Sequence, residues 1–326
     1  MKATVFTDKE SVKFLDVDVP HVGPDEVLVR SRAVGICHSD IELLEGRYIL
    51  PFSYPIVPGH EWAGEVAEVG SEVAGFNTGD RVVGECVVNA GGKDHFGFTI
   101  SGAMAEYFVV KAEWLHKFPD SMSWTMGALV EPFSVAYNAT FVSRVDPSDR
   151  VAVLGAGPIG LMSALAAKAR GATVVVFEPQ EFRRKKAAEL GIGYVFDPTS
   201  PNDLRKSFQL TGGDMFDVVL ETAGHPMAMA QALELAGHHA RVVYVGINVG
   251  GKVEAPMGLI QAKALEVQGI IGSVNLWPQT IRFLSSGGVD PTPIVSDHFA
   301  HADSVDAFAL SRSGGKTTKV HVEIGS

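Results

Sequence analysis

The chain has 326 residues, more than a single hydrophobic core usually accommodates, so two domains are expected. Hydrophobic residues make up 46% of the chain and charged residues 20%, a composition that excludes an intrinsically disordered protein. The net charge of −11 argues against a nucleic acid or an anionic membrane surface as partner, because like charges repel.

The first part of the chain, residues 1–140, consists of short β-rich segments separated by Gly, Pro and Asp. Its opening residues, 1–6, read as a strand and lack the apolar stretch and cleavage site of a secretory signal. Only two cysteines, Cys37 and Cys86, are present, which is too few for a disulfide framework and fits a reducing compartment. We therefore expect a cytoplasmic protein.

Between about residues 150 and 275, apolar strands alternate with glycine turns and amphipathic helices. This alternation predicts an α/β fold with a doubly wound parallel sheet. The longest uncharged run is too short to span a bilayer and is interrupted by glycine and proline. The strands expected to be buried in the sheet are 151–154, 174–177, 218–221, 242–245 and 269–271.

After residue 276 the chain returns to short segments and ends in a predicted strand over 319–324. We expect this tail to rejoin the first domain. The predicted domains are therefore residues 1–140 together with 276–326, and residues 141–275.

A glycine turn with the pattern G-x-G-x-x-G follows the predicted strand 150–154 and opens a predicted helix over 161–170. In this context the helix N-terminus faces the pyrophosphate of a dinucleotide. A sheet of this kind that binds no ligand is the alternative. The residues of the turn expected to contact the cofactor are Gly155, Gly157, Pro158, Ile159 and Gly160.

Glu178 ends the second strand of this region, where a carboxylate accepts hydrogen bonds from the adenosine ribose. This favours NAD, because a carboxylate repels the 2′-phosphate of NADP. Arg183 and Arg184 oppose the preference, since a guanidinium accommodates that phosphate; Arg183 is also a candidate contact of the adenine ring.

The carboxyl ends of the later strands should also line the cofactor cleft, because open α/β sheets bind ligands at that edge. The residues at these positions are Thr222, Ala223, Gly246, Gly272 and Ser273.

Two glycine-flanked loops, 35–40 and 58–61, contain Cys37, His60 and Glu61. Thiolate, imidazole and carboxylate form a zinc-compatible ligand set, and a catalytic zinc needs three protein ligands and one open position. No compact metal-binding pattern joins the loops. On the residues alone, a buried cysteine and a hydrogen-bonded core histidine remain the alternative.

Five motifs taken together resemble those of one family: GICHSD at 35–40, PGHEWAG at 58–64, VG and GDRV at 69–70 and 79–82, GALVEP at 127–132, and the glycine turn. On these motifs the chain resembles the zinc-dependent medium-chain dehydrogenases from end to end. Residues 130–132 and 220–224 are most similar to the polyol branch, which includes sorbitol, galactitol-phosphate, threonine and aminocyclitol dehydrogenases. The resemblance implies a GroES-like β-rich catalytic domain and a Rossmann domain.

The resemblance also implies one catalytic zinc bound by Cys37 and His60, with Glu61 and Glu131 supplying or exchanging carboxylate coordination. Which carboxylate binds at rest stays open, and Glu131 near the metal without ligating it is the alternative. Ser39 occupies the position whose hydroxyl contacts the substrate oxygen and passes on its proton.

Three further positions depart from the family or are less well defined. Glu42 stands where relatives often have a histidine that releases protons, so it is a candidate proton relay, a substrate contact or a solvated acid. Lys319 resembles a basic residue facing the pyrophosphate, with an exposed lysine as the alternative. Tyr48, Trp62, His95, Phe96 and Phe133 are expected to shape the substrate pocket.

The stretch 84–102 matches a lobe in which many relatives hold a structural zinc with four cysteines. Here it contains Cys86 alone, so no second zinc is expected. Parts of the family assemble through this lobe. We expect a homo-oligomer, either a dimer or a tetramer.

The leading hypothesis is a cytoplasmic dehydrogenase that uses zinc and NAD to oxidise a secondary alcohol of a small polyol, sugar or cyclitol. One alternative is a zinc-free NADPH quinone or alkene reductase, against which the co-occurrence of Cys37, His60 and Glu61 argues. The other is a non-catalytic dinucleotide-binding protein.

Overall fold

The computed structural model describes residues 1–49, 51–87, 94–273, 275–314 and 317–325. The chain divides into two compact units, residues 1–131 with 277–326 and residues 132–276. The first boundary lies before the predicted one at 140. Ser134 and Asn138 on the helix that crosses it hydrogen-bond to Ser273 and to the carbonyl of Gly272, both in the second unit.

The strands of the described residues are numbered in chain order. They are β1 Lys2–Asp8, β2 Ser11–Asp16, β3 Glu26–Ile36, β4 Glu61–Val69, β5 Arg81–Gly84, β6 Tyr107–Lys111, β7 Leu115–Lys117, β8 Arg150–Leu154, β9 Thr173–Phe177, β10 Tyr194–Phe196, β11 Phe216–Glu221, β12 Ala236–Tyr244, β13 Glu266–Gly269, β14 Val295–Ala300 and β15 Lys319–Glu323.

The α-helices are numbered in the same way. Among the described residues, no helix has the length and apolar character needed to cross a bilayer. The helices are α1 His38–Leu44, α2 Trp124–Ala128, α3 Val130–Val142, α4 Pro158–Ala169, α5 Glu181–Glu189, α6 Pro201–Leu210, α7 Pro226–Leu235, α8 Gly258–Ala262, α9 Trp277–Ser285 and α10 Ser304–Arg312.

The first unit is built around a sheet with the strand order β14-β15-β3-β4-β5-β7, in which β6 also pairs with β3. Strand β3 organises this sheet, because it pairs antiparallel with β4 on one side and with the closing strand β15 on the other. Trp62 packs edge-on against Phe108, with ring centroids 4.7 Å apart, and Phe96 lies against both rings. Trp62 and Phe96 therefore fill the core of this unit, contrary to the expectation that they shape a substrate pocket.

The second unit contains a six-stranded parallel sheet with the order β10-β9-β8-β11-β12-β13. Strands β8, β9, β11 and β12 lie where the sequence predicts them, and α4 follows β8 as predicted. The prediction of a buried strand over 269–271 is wrong. Strand β13 ends at Gly269 and all its residues are exposed, because it forms an edge of the sheet.

The strand order of this sheet reverses between β8 and β11, which lie side by side. Such a switch point leaves a crevice at the carboxyl ends of the two strands, since their following connections run in opposite directions. The glycine turn 155–160 begins directly after β8, at this crevice.

Candidate functional site

Three potential metal ligands meet in the first unit, and we call Cys37, His60 and Glu61 the ligand cluster. Cys37 directly follows β3 as the N-cap of α1, and Glu61 begins β4. Because the strands are antiparallel with Gly35 opposite Glu61, the end of one lies beside the start of the other. The potential ligand atoms of the three side chains all lie within 4.8 Å of one another.

The chemistry of the ligand cluster fits zinc. It offers one thiolate, one imidazole and one carboxylate, a donor set of the number and type found in catalytic zinc sites. His60 and Glu61 are 4% and 1% exposed, and among the described residues neither His60 Nδ1 nor Glu61 Oε2 makes a hydrogen bond of regular geometry.

Asp40 holds two members of the ligand cluster, a role that the sequence analysis missed. One of its carboxylate oxygens, Oδ2, accepts a 2.9 Å hydrogen bond from the backbone N–H of Cys37. The other, Oδ1, lies 3.3 Å from His60 Nδ1. A carboxylate at this nitrogen favours the tautomer that leaves Nε2 free to bind a metal. The signal in the sequence is an acid three residues after the cap of a helix.

The opposite nitrogen of His60, Nε2, lies 3.4 Å from the hydroxyl of Ser39. Burial lowers the pKa of His60, but the charge of Asp40 and further neighbours outweigh burial and raise it well above its usual value. The predicted residues Cys37, Ser39 and His60 are thus brought together.

Lys319 is buried against the ligand cluster and is only 4% exposed. Its Nζ donates a 2.6 Å hydrogen bond to Glu61 Oε1 and also contacts Oε2. Burial lowers the pKa of Lys319, but the negative charges of Glu61 and Cys37 more than compensate and raise it. The alternative of an exposed lysine is therefore wrong, because β15 lies beside β3 and places this ammonium within the first unit. A contact of Lys319 with the pyrophosphate stays a prediction.

Glu131 lies close enough to His60, Glu61 and Lys319 to experience their charges. Burial raises the pKa of Glu131 to about 7; the positive charges of His60 and Lys319 oppose the shift and the negative charge of Glu61 adds to it. A buried carboxyl group of this kind loses its proton more readily when a dication binds nearby.

Aromatic side chains stand next to the ligand cluster. The ring of Phe98 lies 4.9 Å from that of His60 and is stacked on that of Tyr48 at 4.4 Å. The ring of His95 meets Phe98 edge-on at 6.5 Å. Of the residues predicted to shape the pocket, Tyr48 and His95 thus lie in this aromatic group, Phe98 was missed, and Phe133 is fully buried in the second unit.

Glu42 is held by a neighbouring cation. Arg47 Nη1 donates a 2.7 Å hydrogen bond to its carboxylate, and His38 Nε2 lies 4.0 Å away. A proton relay, a substrate contact and a solvated acid all remain predictions for Glu42. In the stretch 84–102, Cys86 is described, whereas residues 88–93 lie outside the described part of the chain.

The glycine turn has the conformation expected of a dinucleotide-binding loop. Gly155 has a φ of +99°, which favours glycine. A Cβ at Gly160 would overlap the carbonyl oxygen of Gly155, whereas one at Gly157 would have only Arg183 Nη1 near it, at 4.0 Å. Gly157 is the N-cap of α4 and Pro158 its first residue. The turn therefore packs closely on one side and leaves space for a ligand at Gly157.

The residues predicted to line the cofactor cleft fall into two groups. Thr222 and Ala223 follow β11 and adjoin Gly155, with the hydroxyl of Thr222 donating a 2.8 Å hydrogen bond to the carbonyl of Leu154. Gly246 packs against the backbone of the turn that follows Ala223. Gly272 and Ser273 instead hydrogen-bond to helix α3.

Glu178 is 3% exposed, and both its carboxylate oxygens accept backbone hydrogen bonds, from Ala156 N at 2.8 Å and from Gln180 N at 2.9 Å. It is therefore tied to the glycine turn. Arg184 donates to the carbonyls of Glu178 and Pro179 and lies 3.2 Å from Asp197. Arg183 differs from Arg184, because its guanidinium extends towards Gly157.

The sequence pattern of the alcohol dehydrogenase GroES-like domain matches residues 23–120, and that of the zinc-binding dehydrogenases matches residues 158–286. Sorbitol dehydrogenase of Bacillus subtilis is 32% identical over 94% of this chain and 92% of its own length. The chain belongs to the zinc-binding alcohol dehydrogenase family. It is an oxidoreductase that acts on CH–OH groups.

Other members of the family are similarly close. L-threonine 3-dehydrogenase of Pyrococcus furiosus is 36% identical over 94% of both chains. The crystal structure of 2R,3R-butanediol dehydrogenase from Bacillus subtilis superimposes with a TM-score of 0.91, at 30% identity and 99% coverage of both chains. These matches confirm the predicted family and its two-domain fold.

Proposed function

We propose that this dehydrogenase oxidises a secondary alcohol in an uncharged polyol, sugar or cyclitol, with one zinc ion and NAD. The observation that carries the proposal is the ligand cluster, in which a thiolate, an imidazole and a carboxylate converge from β3 and β4. The relatives are named for sorbitol, butanediol and threonine. Each of these three molecules has a secondary alcohol beside a second polar group.

Cys37, His60 and Glu61 are the proposed zinc ligands, with Glu131 as the carboxylate that exchanges with Glu61. When bound, zinc polarises the substrate hydroxyl and the nicotinamide accepts a hydride. Asp40 keeps the His60 imidazole oriented, and the Ser39 hydroxyl receives the proton of the substrate hydroxyl. Tyr48 and Phe98 offer an apolar surface for the carbon skeleton of the substrate.

The preference for an uncharged substrate rests on the charges of the first unit. Three carboxylates, those of Asp40, Glu61 and Glu131, lie at or near the ligand cluster, whereas the ammonium of Lys319 is engaged by Glu61. Lys319 is therefore not available to pair with a phosphate or carboxylate on the substrate.

The proposed preference for NAD rests on Glu178. A 2′-phosphate beside its buried carboxylate would meet a like charge, and Arg184 is already engaged by backbone carbonyls and Asp197. Arg183 extends towards Gly157, where it could contact the adenine or the pyrophosphate. The other proposed contacts are those of the glycine turn and of Thr222, Ala223, Gly246, Gly272 and Ser273.

A cytoplasmic location and a homo-oligomer, dimer or tetramer, are part of the proposal. The location is supported by two unpaired cysteines, Cys37 and Cys86. Light scattering of the purified protein measures the oligomeric state directly.

The experiment combines elemental analysis with a panel of alcohols. We expect about one zinc per chain and NAD-dependent oxidation of a neutral polyol, with phosphorylated and zwitterionic analogues oxidised more slowly. Absence of zinc after metal-replete purification, with reduction of quinones by NADPH, would support the zinc-free reductase. Dinucleotide binding without turnover of any alcohol would support a non-catalytic protein.

A further inference from the structure

Tyr48 carries a hydroxyl group that the proposed reaction does not use. The residue follows α1 in the first unit, and its side chain is half-buried. None of the described residues makes a hydrogen bond to this hydroxyl. A tyrosine hydroxyl can both donate and accept, and a half-buried one usually has a partner. The hydroxyl of Tyr48 is therefore available to a ligand.

Stacking gives the ring of Tyr48 a defined position. Its centroid lies 4.4 Å from that of Phe98, and the two rings are nearly parallel, at 14°. Phe98 is 1% exposed, and its ring also contacts that of His60, with centroids 4.9 Å apart. Because one buried ring contacts both side chains, Tyr48 stands beside the ligand cluster.

The hydroxyl end of Tyr48 faces the groups of the ligand cluster and not only its own ring partner. The hydroxyl lies close enough to four titratable groups to experience their charges, namely those of Cys86, His60, Cys37 and Asp40. These effects act on the hydroxyl itself, because it is the part of the side chain that ionises. The free hydroxyl of Tyr48 and the proposed zinc ligands thus border the same region.

The polar groups on this side of the ligand cluster are neutral. Burial raises the pKa of Tyr48, so its hydroxyl keeps its proton and can donate it. Burial also raises the pKa of Cys86 to about 12, so this thiol is neutral as well. The nearby ammonium of Lys319 is held by Glu61. The donor that Tyr48 offers therefore suits an uncharged acceptor, such as a hydroxyl oxygen of the substrate.

Two hydroxyls of the protein approach the imidazole of His60 from different segments. That of Ser39, on α1, lies 3.4 Å from His60 Nε2 and is the proposed partner of the reacting hydroxyl. That of Tyr48 comes from the segment after α1 and has no such role. A substrate with two adjacent hydroxyls can use both, one at Ser39 and the other at Tyr48.

We propose that the Tyr48 hydroxyl donates a hydrogen bond to the substrate hydroxyl next to the one that is oxidised, so that the enzyme selects vicinal diols over alcohols with a single hydroxyl. This inference rests on the proposed function and names the substrate class within it. Tyr48 acts on specificity alone, since it contacts a non-reacting oxygen and takes no part in hydride or proton transfer. A site that hydrogen-bonds a substrate hydroxyl discriminates against the analogue that lacks it, because the donor of the site then stays unpaired.

The first test compares a vicinal diol, 2,3-butanediol, with 2-butanol, a monoalcohol of the same carbon skeleton. In the parent with zinc and NAD, kcat/KM should be at least about tenfold higher for the diol. Tyr48→Phe keeps the stacked ring and removes the hydroxyl. We expect its kcat/KM for the diol to fall by about tenfold, mainly through KM, and that for the monoalcohol to change by less than about twofold.

The ratio of the two substrates separates specificity from damage to the structure, which would affect both alike. The matched control is Tyr194→Phe, which removes the hydroxyl of an exposed tyrosine on β10 in the second unit. We expect this control to leave the ratio unchanged. A ratio that is the same in the parent and in Tyr48→Phe would overturn the inference.

The second test needs no turnover. The affinities of the two alcohols are measured by NMR titration of the zinc-loaded protein with NADH bound, a state that cannot oxidise them. Tyr48→Phe should weaken binding of the diol by about tenfold and leave that of the monoalcohol unchanged. Absence of diol binding, or equal affinities for the two alcohols in the parent, would also overturn the inference. A protein that binds the diol through Tyr48 but oxidises neither alcohol would refute the proposed function and leave the binding role of Tyr48 standing.

Discussion

The ligand cluster and the glycine turn lie in different units and are built in different ways. In the first unit, Cys37, His60 and Glu61 gain their geometry from two other side chains, Asp40 on α1 and Lys319 on β15. In the second unit, Gly155 and Gly160 act through backbone conformation and through the space that a missing side chain leaves. A metal site therefore depends on a network of partners, whereas a dinucleotide loop depends on one short segment.

Removal of a proposed metal ligand should show the largest difference between the two regions, because it should affect zinc binding and leave NADH binding nearly unchanged. Cys37→Ala deletes one of the three proposed zinc ligands, so we expect zinc to fall from about one per chain to near zero and kcat/KM for the alcohol to fall by at least ~10³-fold. NADH affinity should change less than about twofold, because the glycine turn lies in the other unit. Elemental analysis, kinetics and NADH fluorescence titration measure the three quantities.

The control for this substitution is Cys86→Ala, which removes the other thiol and should preserve zinc content. Loss of NADH binding in Cys37→Ala would show that the two regions are not separable.

The next largest effect concerns the partner of Glu61. Lys319→Met leaves a buried carboxylate without its ammonium, which should lower the free energy of unfolding of the zinc-free protein by about 3–5 kcal/mol. The four tryptophans all lie in the first unit, so their fluorescence during urea unfolding reports on it. Added zinc should recover part of the loss, because a dication also neutralises Glu61.

Lys111→Met is the matched control in the same unit. It removes an exposed lysine paired with Asp25 and should leave the unfolding midpoint nearly unchanged. Equal effects of the two substitutions on the unfolding midpoint would contradict the prediction that the buried carboxylate of Glu61 needs the ammonium of Lys319.

Glu221 provides a buried carboxyl group in the second unit whose only described hydrogen bonds come from backbone N–H groups, those of Ala223 and Gly224. Burial raises the pKa of Glu221 to about 7, so between pH 4.5 and about 7 the folded state binds more protons than the unfolded state. Its contribution to stability is complete below pH 4.5 and is lost as the pH rises through about 7. The loss amounts to roughly 3 kcal/mol.

Glu221→Gln cannot ionise and should lack this pH dependence. Glutamine Oε1 can accept both backbone hydrogen bonds. Urea unfolding of parent and variant at pH 5 and pH 8 measures the difference, and the variant should be relatively more stable at pH 8. Identical pH dependence in the two proteins would contradict the prediction.

The smallest expected effect is on cofactor choice. Glu178→Ser removes the carboxylate that we propose to lie beside the adenosine ribose, so the expected preference of the parent for NAD over NADP, about tenfold or more, should shrink. The ratio of kcat/KM for the two cofactors measures it, and Glu181→Ser, an exposed acid on α5, is the control. A parent that prefers NADP, or an unchanged ratio in Glu178→Ser, would show that Glu178 does not face the ribose.

The sequence was sufficient for features whose causes are local. Strands β8, β9 and β11 are apolar segments bounded by turns, and the glycine turn owes its shape to residues six positions or fewer apart. Cys37, His60 and Glu61 were singled out because their residue types are rare together and because the motifs around them resemble one family.

Features that depend on distant pairing could not be predicted. Lys319 and Glu61 are 258 residues apart, and only the pairing of β15 with β3 brings them together. The exposure of β13 follows from its place at the edge of a sheet, which the apolar residues that follow it, 270–271, do not reveal. Asp40 was visible as a helix-capping acid, but its contact with His60 requires the fold.

The discontinuity of the first unit imposes an order during synthesis. Residues 1–131 leave the ribosome with Cys37, His60 and Glu61, the second unit follows, and β15 appears only afterwards. Until then the edge of β3 that β15 covers is open, and Glu61 has no ammonium beside it. A dication that arrives early is expected to meet an uncompensated carboxylate, whereas one that arrives later meets a carboxylate already paired with Lys319. Pairing of β15 with β3 thus adds an ammonium with which a metal ion has to compete for Glu61.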